Sequence, residues 1–546
     1  MFNKFGIHFT ITSLIVATAF GIAATPADAT QFAPAAAKKL IARSATIPKS
    51  KSLSPSPPAV SGKKKLAPLH IPFGNAKYAA LKQRAAAAAQ PRALVGAINA
   101  NAPTTYGTIA AKCDTNPTTE VGGNLWTPSD IHGAVGFAYA VVVTNQVIGV
   151  YNKNNCAELY VVDIPTFLNV PSGTYTTDPR VLYDAARNRF VMTVESFNFS
   201  NNDQTQYVAV SKDGSGINWW VYALPLSQGT NVFCKQAANS FWDFPNAGLN
   251  IDRIFVNAND FPSSGSPTGA ILSWQKTPML LGQTTTVTCF KNLLTNIAPP
   301  IVLDAGRNTI HLSDGGVGGG SALYRYQLTT NSGSPTNDVL TLLNNVTVPT
   351  WSIPPNAPQP NGVYLDTLDG RFQSASIQSR GALWNVHTVD LVGYATLRLY
   401  KLPAANSSTT PFMYIDLYTT ATDNTFNGSV ATGSGLGNAP IFVTGTRTDT
   451  TAPAGRAAHL VFSGLNSVST RSLWSYNVVT TSGAQYSGSD CSGACRWGDY
   501  SSTQVDPLAS GEAWSFNQRI MGSSQWSWGT EGSGVWLKLP AAPVSQ

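Results

Sequence analysis

Residues 176–195 read TTDPRVLYDAARNRFVMTVE. Two apolar runs rich in β-branched and aromatic residues flank Asp184-Ala-Ala-Arg-Asn188, a turn-forming stretch. That is a pair of antiparallel strands with its connection. The same grammar of polar or charged entry, turn and hydrophobic strand recurs in FPNAGLNIDRIFVNAND (244–260), YLDTLDGRFQSASIQSRGALWNVHTVD (364–390) and RWGDYSSTQVDPLASGEAWSFNQ (496–518). Other strands of this kind are AYAVVVTNQVIGVY (138–151), YVAVS (207–211) and TLRLYK (396–401). Helical periodicity almost disappears beyond residue 103, so the chain is all-β. Modules begin near Trp126, Thr177, Phe241, Ile301, Leu365, Asn438 and Arg496, too many strands for one sandwich. A β-propeller of about seven four-stranded blades fits the length. Six is the alternative if both termini close the ring.

Upstream, the composition changes. Residues 1–29 carry Lys4, an apolar Ile11–Ala24 and the small-x-small site Ala27-Asp28-Ala29. This pattern predicts a signal peptide cleaved near Ala29 and a secreted, periplasmic or cell-surface protein. Residues 30–102 are Ala, Pro, Lys and Ser with twelve cations, Lys38 to Arg92, and no acid, a net +12. The remaining body, residues 103–546, has 22 basic and 27 acidic residues, a net −5. The arm reads as disordered, because it cannot bury enough apolar surface to offset ordering. Only 77–89 (KYAALKQRAAAAA) has helix propensity. A cleaved pro-segment, a spacer, or a cationic tether to anionic envelope polymer are its possible roles. A nucleic-acid partner would have to rest on the arm alone and is not expected. No stretch after the leader reaches the length of a membrane helix.

Asp178-Pro-Arg-Val-Leu-Tyr-Asp184 and Arg496-Trp-Gly-Asp-Tyr-Ser501 resemble the DPRxxYD and RWGDYS elements of secreted bacterial β-propeller proteins, which are loosely similar to sialidase-type propellers. Residues 133–153 resemble the first blade of that group. The resemblance spans about Trp126 to Leu539 and implies the fold and export.

No G-x-S-x-G, H-E-x-x-H, C-x-x-C or Walker loop is present. The Gly-rich 314–320 lacks the Lys and helix of a phosphate loop. His132, His311, His387 and His459 are not at ligand spacing, so neither metal nor cofactor is expected. The cysteines read as bridges: Cys491 with Cys495, and Cys113 with Cys156 and Cys234 with Cys289 as one of the three pairings open to the other four. Arg180, Arg371 and Arg496 each stand near a module opening and could converge on an anionic ligand. Likeness to sialidases adds a Tyr nucleophile, an assisting acid and an Asp, for which Tyr500, Glu195 and Asp178 are candidates. The S-x-D-x-G-x-x-W box is not matched, as 211–219 is one residue too long. The competing reading makes Arg180 and Arg496 staples to Asp178, Asp184 or Asp499. Most tryptophans should be core, with SSQWSWG (523–529) the best exposed candidate. The favoured function is a non-catalytic exported module binding cell-surface glycan or protein. The alternatives are a sialidase-like glycan hydrolase or lyase, and a purely structural envelope component.

Overall fold

A computed structural model describes residues 30–49, 65–66, 70–92, 99–100, 108–115, 126–433, 439–451, 455–486, 491, 493–520 and 528–536. For 65–66, 99–100, 108–115, 126 and 528–536 only the backbone enters the description. Strand makes up 54% and helix 7%, which settles the all-β class, and the arrangement is a β-propeller.

Seven innermost strands surround the axis: β1 (His132–Val135), β2 (Tyr175–Asp184), β3 (Phe241–Leu249), β4 (Pro300–Val302), β5 (Ser376–Ser379), β6 (Asn424–Thr432) and β7 (Ser502–Asp506). Each lies against the next, and β7 lies against β1. Antiparallel strands run outward from them, as from β2 through Arg189–Phe197 and Gln204–Ser211 to Asn218–Gln228. Both faces of each sheet meet a neighbouring sheet. Val181, Met192 and Trp219 pack with Val141 and Val150 on one side, whereas Leu182, Val208 and Tyr222 pack with Trp242 and Val256 on the other. Such strands are apolar at consecutive positions, not at alternate ones.

The blades number four, which corrects the expected seven or six. Pairing across module borders merges modules that the sequence spaces apart. β4 pairs in parallel with both β3 and β5 and fuses their two sheets into one of ten strands. The sheet between them keeps only Ile297–Ala298 as its inner strand. The last sheet is completed by Thr108–Thr115, which pairs with Trp528–Trp536.

The expectation of a disordered arm is corrected for 30–49 and 70–92, whereas SPSPPAV (54–60) and Lys63-Lys64, on which it rested, lie outside the described residues. Ala36–Leu40 pairs with the outer strand Thr285–Leu293, and Arg43–Thr46 pairs with Asn218–Gln228. Exposed sheet edges offer unpaired N–H and C=O groups, and backbone bonding satisfies them without an apolar side chain. Further on, α1 (Asn75–Ala87) docks on the propeller, with Lys82 and Ala85 buried. Arg92 is buried too, 2.6 Å from Asp423 and stacked over Tyr418.

Buried ion pairs clamp neighbouring segments. Arg253 meets Asp338 at 2.8 Å with both side chains enclosed. Removing one partner of such a pair costs about 3–5 kcal/mol, since the other is left buried and unpaired. Disulfides join Cys234 to Cys289 and Cys491 to Cys495. Cys156 is also disulfide-bonded. The side chain of Cys113, its expected partner, lies outside the described residues.

Candidate functional site at the axis

Three inner strands break their ladder near their N-terminal ends, between Thr177 and Arg180, Asp243 and Asn246, and Phe426 and Ser429. A left-handed residue stands at each break: Asp178 (φ 56°), Phe244 (φ 59°) and Asn427 (φ 57°). Asp and Asn tolerate this region, whereas Phe does not, at a cost of about 1–3 kcal/mol. Bulges re-aim side chains. Here they gather polar groups from different sheets at one place.

Tyr500 donates its hydroxyl to Asp178 Oδ2 at 2.5 Å. Arg180 lies over the Tyr500 ring, 3.0 Å from its centre. Phe244 packs on the same tyrosine at 4.9 Å, and Arg371 lies over Phe244 at 4.4 Å. Asn427 donates to the Tyr500 carbonyl, and Gln373 to that of Asp499. The Asp499 amide donates to Asp130 Oδ1. Contacts among so many sheets are possible only at the ring centre. Carboxylate oxygens of Asp178, Glu195 and Asp243 lie within 4.8 Å of one another, all three side chains buried. Oxygen donors in this arrangement could hold a hard cation.

Charge in this place is strongly perturbed. Burial, and then the Asp243 carboxylate, pushes Asp178 up to about 7. Burial, with Asp178 and Asp243 beside it, drives Glu195 well above the usual carboxylate range. Tyr500 is raised well above 10 by burial. Tyr500 therefore keeps its proton at neutral pH and gives it to Asp178 as a hydrogen bond. Both carboxylate oxygens of Glu195, Arg180 Nη2 and Arg371 Nη1 are buried without a hydrogen-bond partner among the described residues.

All six residues singled out from the sequence, Asp178, Arg180, Glu195, Arg371, Arg496 and Tyr500, meet here. Of the pairs in the staple reading, Arg496 with Asp499 is present at 2.9 Å, as a local pair three residues apart. Arg371, which that reading left out, pairs with Asp369 at 2.7 Å. Arg180 instead donates to Asn246 and the Pro179 carbonyl, and Asp184 belongs to Lys276. Asp243 escaped sequence reasoning, although Asp243-Phe-Pro copies the Thr177-Asp-Pro entry with its acid one place earlier. Most tryptophans were expected in the core. Trp219, Trp242, Trp274, Trp351, Trp384 and Trp514 are core. Beside the cluster, Tyr175, Phe197, Phe199 and Phe241 form a contiguous patch, with Phe199 61% exposed at its edge. The proposed aromatic site at 523–529 lies outside the described residues, apart from the backbone of Trp528 and Gly529.

Toward the C-terminal ends of the inner strands the cluster gives way to a cavity of 440 Å³, lined by Leu182, Ile301, Ile377, Val430, Val505 and His132. His132 accepts from the Val181 amide, and burial pushes it down to about 3.

No family model matches the chain, and no curated protein matches it by sequence. Among solved structures, it is similar to an α-L-arabinofuranosidase of Fusarium graminearum in complex with an iminosugar inhibitor (9% identity, TM-score 0.37, 75% of this chain and 93% of that one). It is similar to Trypanosoma rangeli sialidase in complex with sialic acid (11%, 0.36, 72% and 57%). A third is Penicillium chrysogenum α-L-arabinanase complexed with arabinobiose (9%, 0.35, 79% and 98%). These are distant likenesses of overall fold, and no residue role is carried over from them.

Proposed function

We propose that the protein is an exported glycan-active hydrolase whose chemistry resides in the axial cluster. The observation that carries this reading is the Tyr500–Asp178 hydrogen bond beside the unpaired Glu195 carboxyl. A tyrosine attacks only when a base takes its proton, and Asp178 is in reach of that proton. Arg180 over the ring supports the phenolate that forms. Glu195, held protonated, can supply a proton to a leaving oxygen, as the raised carboxyl of a glycosidase pair does. Bridges and the leader-like N-terminus support export.

A second reading, a non-catalytic glycan-binding module, is favoured by the pairing of Arg371 and Arg496 with their own aspartates. One experiment separates the two. Release of reducing ends from a polysaccharide panel is measured for the wild-type chain, which should turn over at least one member. Tyr500→Phe should lower turnover by at least roughly 10²-fold, the size of a lost acid–base group. Binding without turnover in every sample would leave the binding module.

A further inference from the structure

His70 is held in a seat that is not its own. Its ring stacks on Phe241 at 4.6 Å and 26°, with Phe261 at 5.0 Å on a tilted approach. Nδ1 meets Asp243 Oδ2 at 2.8 Å, and the His70 amide donates to the same oxygen. Arg371 Nη2 donates to the His70 carbonyl at 2.8 Å. The side chain stays one-third exposed, so the seat opens outward. Pro72 and Phe73 then lie on the 314–320 loop. A Cβ at Gly318 (φ 76°) would come within 2.9 Å of Phe73, so glycine permits that approach. Tyr78 donates to Asp366, and Lys82 donates to Thr367 at 2.6 Å. The segment thus lies against Asp243 and Arg371 of the axial cluster through His70.

The seat has a donor–acceptor pattern of its own. His70 supplies the only donors to Asp243 Oδ2 among the described residues. Without the segment, a nearly buried carboxylate would need another donor. A flat apolar face for Phe241, a donor for Asp243 at the ring edge and an acceptor for Arg371 are what a sugar ring presents. Phe241 packs on the buried Phe197 at 5.5 Å, which backs the exposed Phe199. That exposed ring suits a further unit of a chain.

Resting on the hydrolase reading for its site, we propose that Phe241, Phe261, Asp243 and Arg371 form a subsite for one neutral sugar ring, and that His70 occupies it as a built-in competitor. A neutral ring fits because Asp178, Glu195 and Asp243 crowd the adjoining floor.

The test uses the full chain. Binding of cellotriose, xylotriose and arabinotriose is measured by calorimetry for wild type, His70→Ala and Tyr500→Phe/His70→Ala, with triglucuronate as the charged control. Removing a bound competitor restores affinity in proportion to the fraction of sites freed. His70→Ala should therefore bind at least one neutral trisaccharide roughly tenfold or more tighter than wild type. Imidazole should compete, and Phe241→Ala in the same background should remove the gain. Imidazole binding to His70→Ala, read as a thermal shift, reports that the seat has folded. A restored seat with no gain for any neutral sugar would overturn the proposal. So would a gain for triglucuronate alone, or no imidazole binding at all. Binding by the double variant, with no turnover by His70→Ala, would keep the subsite and sink the hydrolase. Turnover indifferent to imidazole would do the reverse.

Discussion

Asp314 opens the glycine-rich loop beneath Pro72, and its carboxyl is buried, accepting from the Gly316 amide and Asn296. Burial, and then the nearby Asp369, pushes it up to about 8. The folded state thus prefers the protonated acid, while the unfolded chain ionises near pH 4. Its stabilising effect is full below the unfolded value and is lost as pH rises toward 8. The melting temperature should fall between pH 5 and 8.5, and Asp314→Asn, which cannot ionise, should flatten that fall. Parallel curves for the two proteins would show that Asp314 does not titrate in this window. Its loop was legible as a loop, but its purpose was not, because the segment that lies on it is distant in sequence. The axial arginines and Tyr500 were legible because each sits in a module entry. Asp243 was not, because a one-place shift in the bulge moves the acid out of the repeated pattern.

A strand added at a sheet edge needs backbone more than side chains. Ala36–Leu40 follows Thr285–Cys289 residue by residue, and only Leu40 of the five is buried. Nothing in AAKKL announces this, which is why the arm read as disordered. Similarly, α1 had the right propensity and too little length to stand alone. Tyr78, Lys82 and Ala85 tie it down. By contrast the body strands declared themselves, because burial on two faces demands long β-branched runs. Amide hydrogen exchange distinguishes a docked arm from a loose one. Residues 36–40 should exchange far more slowly than an unstructured peptide and nearer to the rate of Thr285–Leu293. Exchange at the unstructured rate would remove the edge pairing.

At the scale of the whole molecule, sheet number followed from module spacing only until strands paired across module borders. The short β4 lies where a module start was expected, near Ile301, but three residues, Pro300–Val302, carry no sign that they pair with both β3 and β5. Closure of the last sheet depends on two distant strands, Thr108–Thr115 and Trp528–Trp536. Ending the chain after residue 527 should therefore leave β7's sheet open and Thr108–Thr115 without a partner. Calorimetry should show a broad or absent transition in place of a sharp one. A sharp transition at the wild-type temperature would mean that closure contributes little. The same latch sets an order of assembly. A chain that emerges N-terminus first displays its closing strand early and must wait for nearly all the rest before that strand can pair. Until then it carries an open edge through synthesis, the stage at which a β-protein is most exposed to wrong partners.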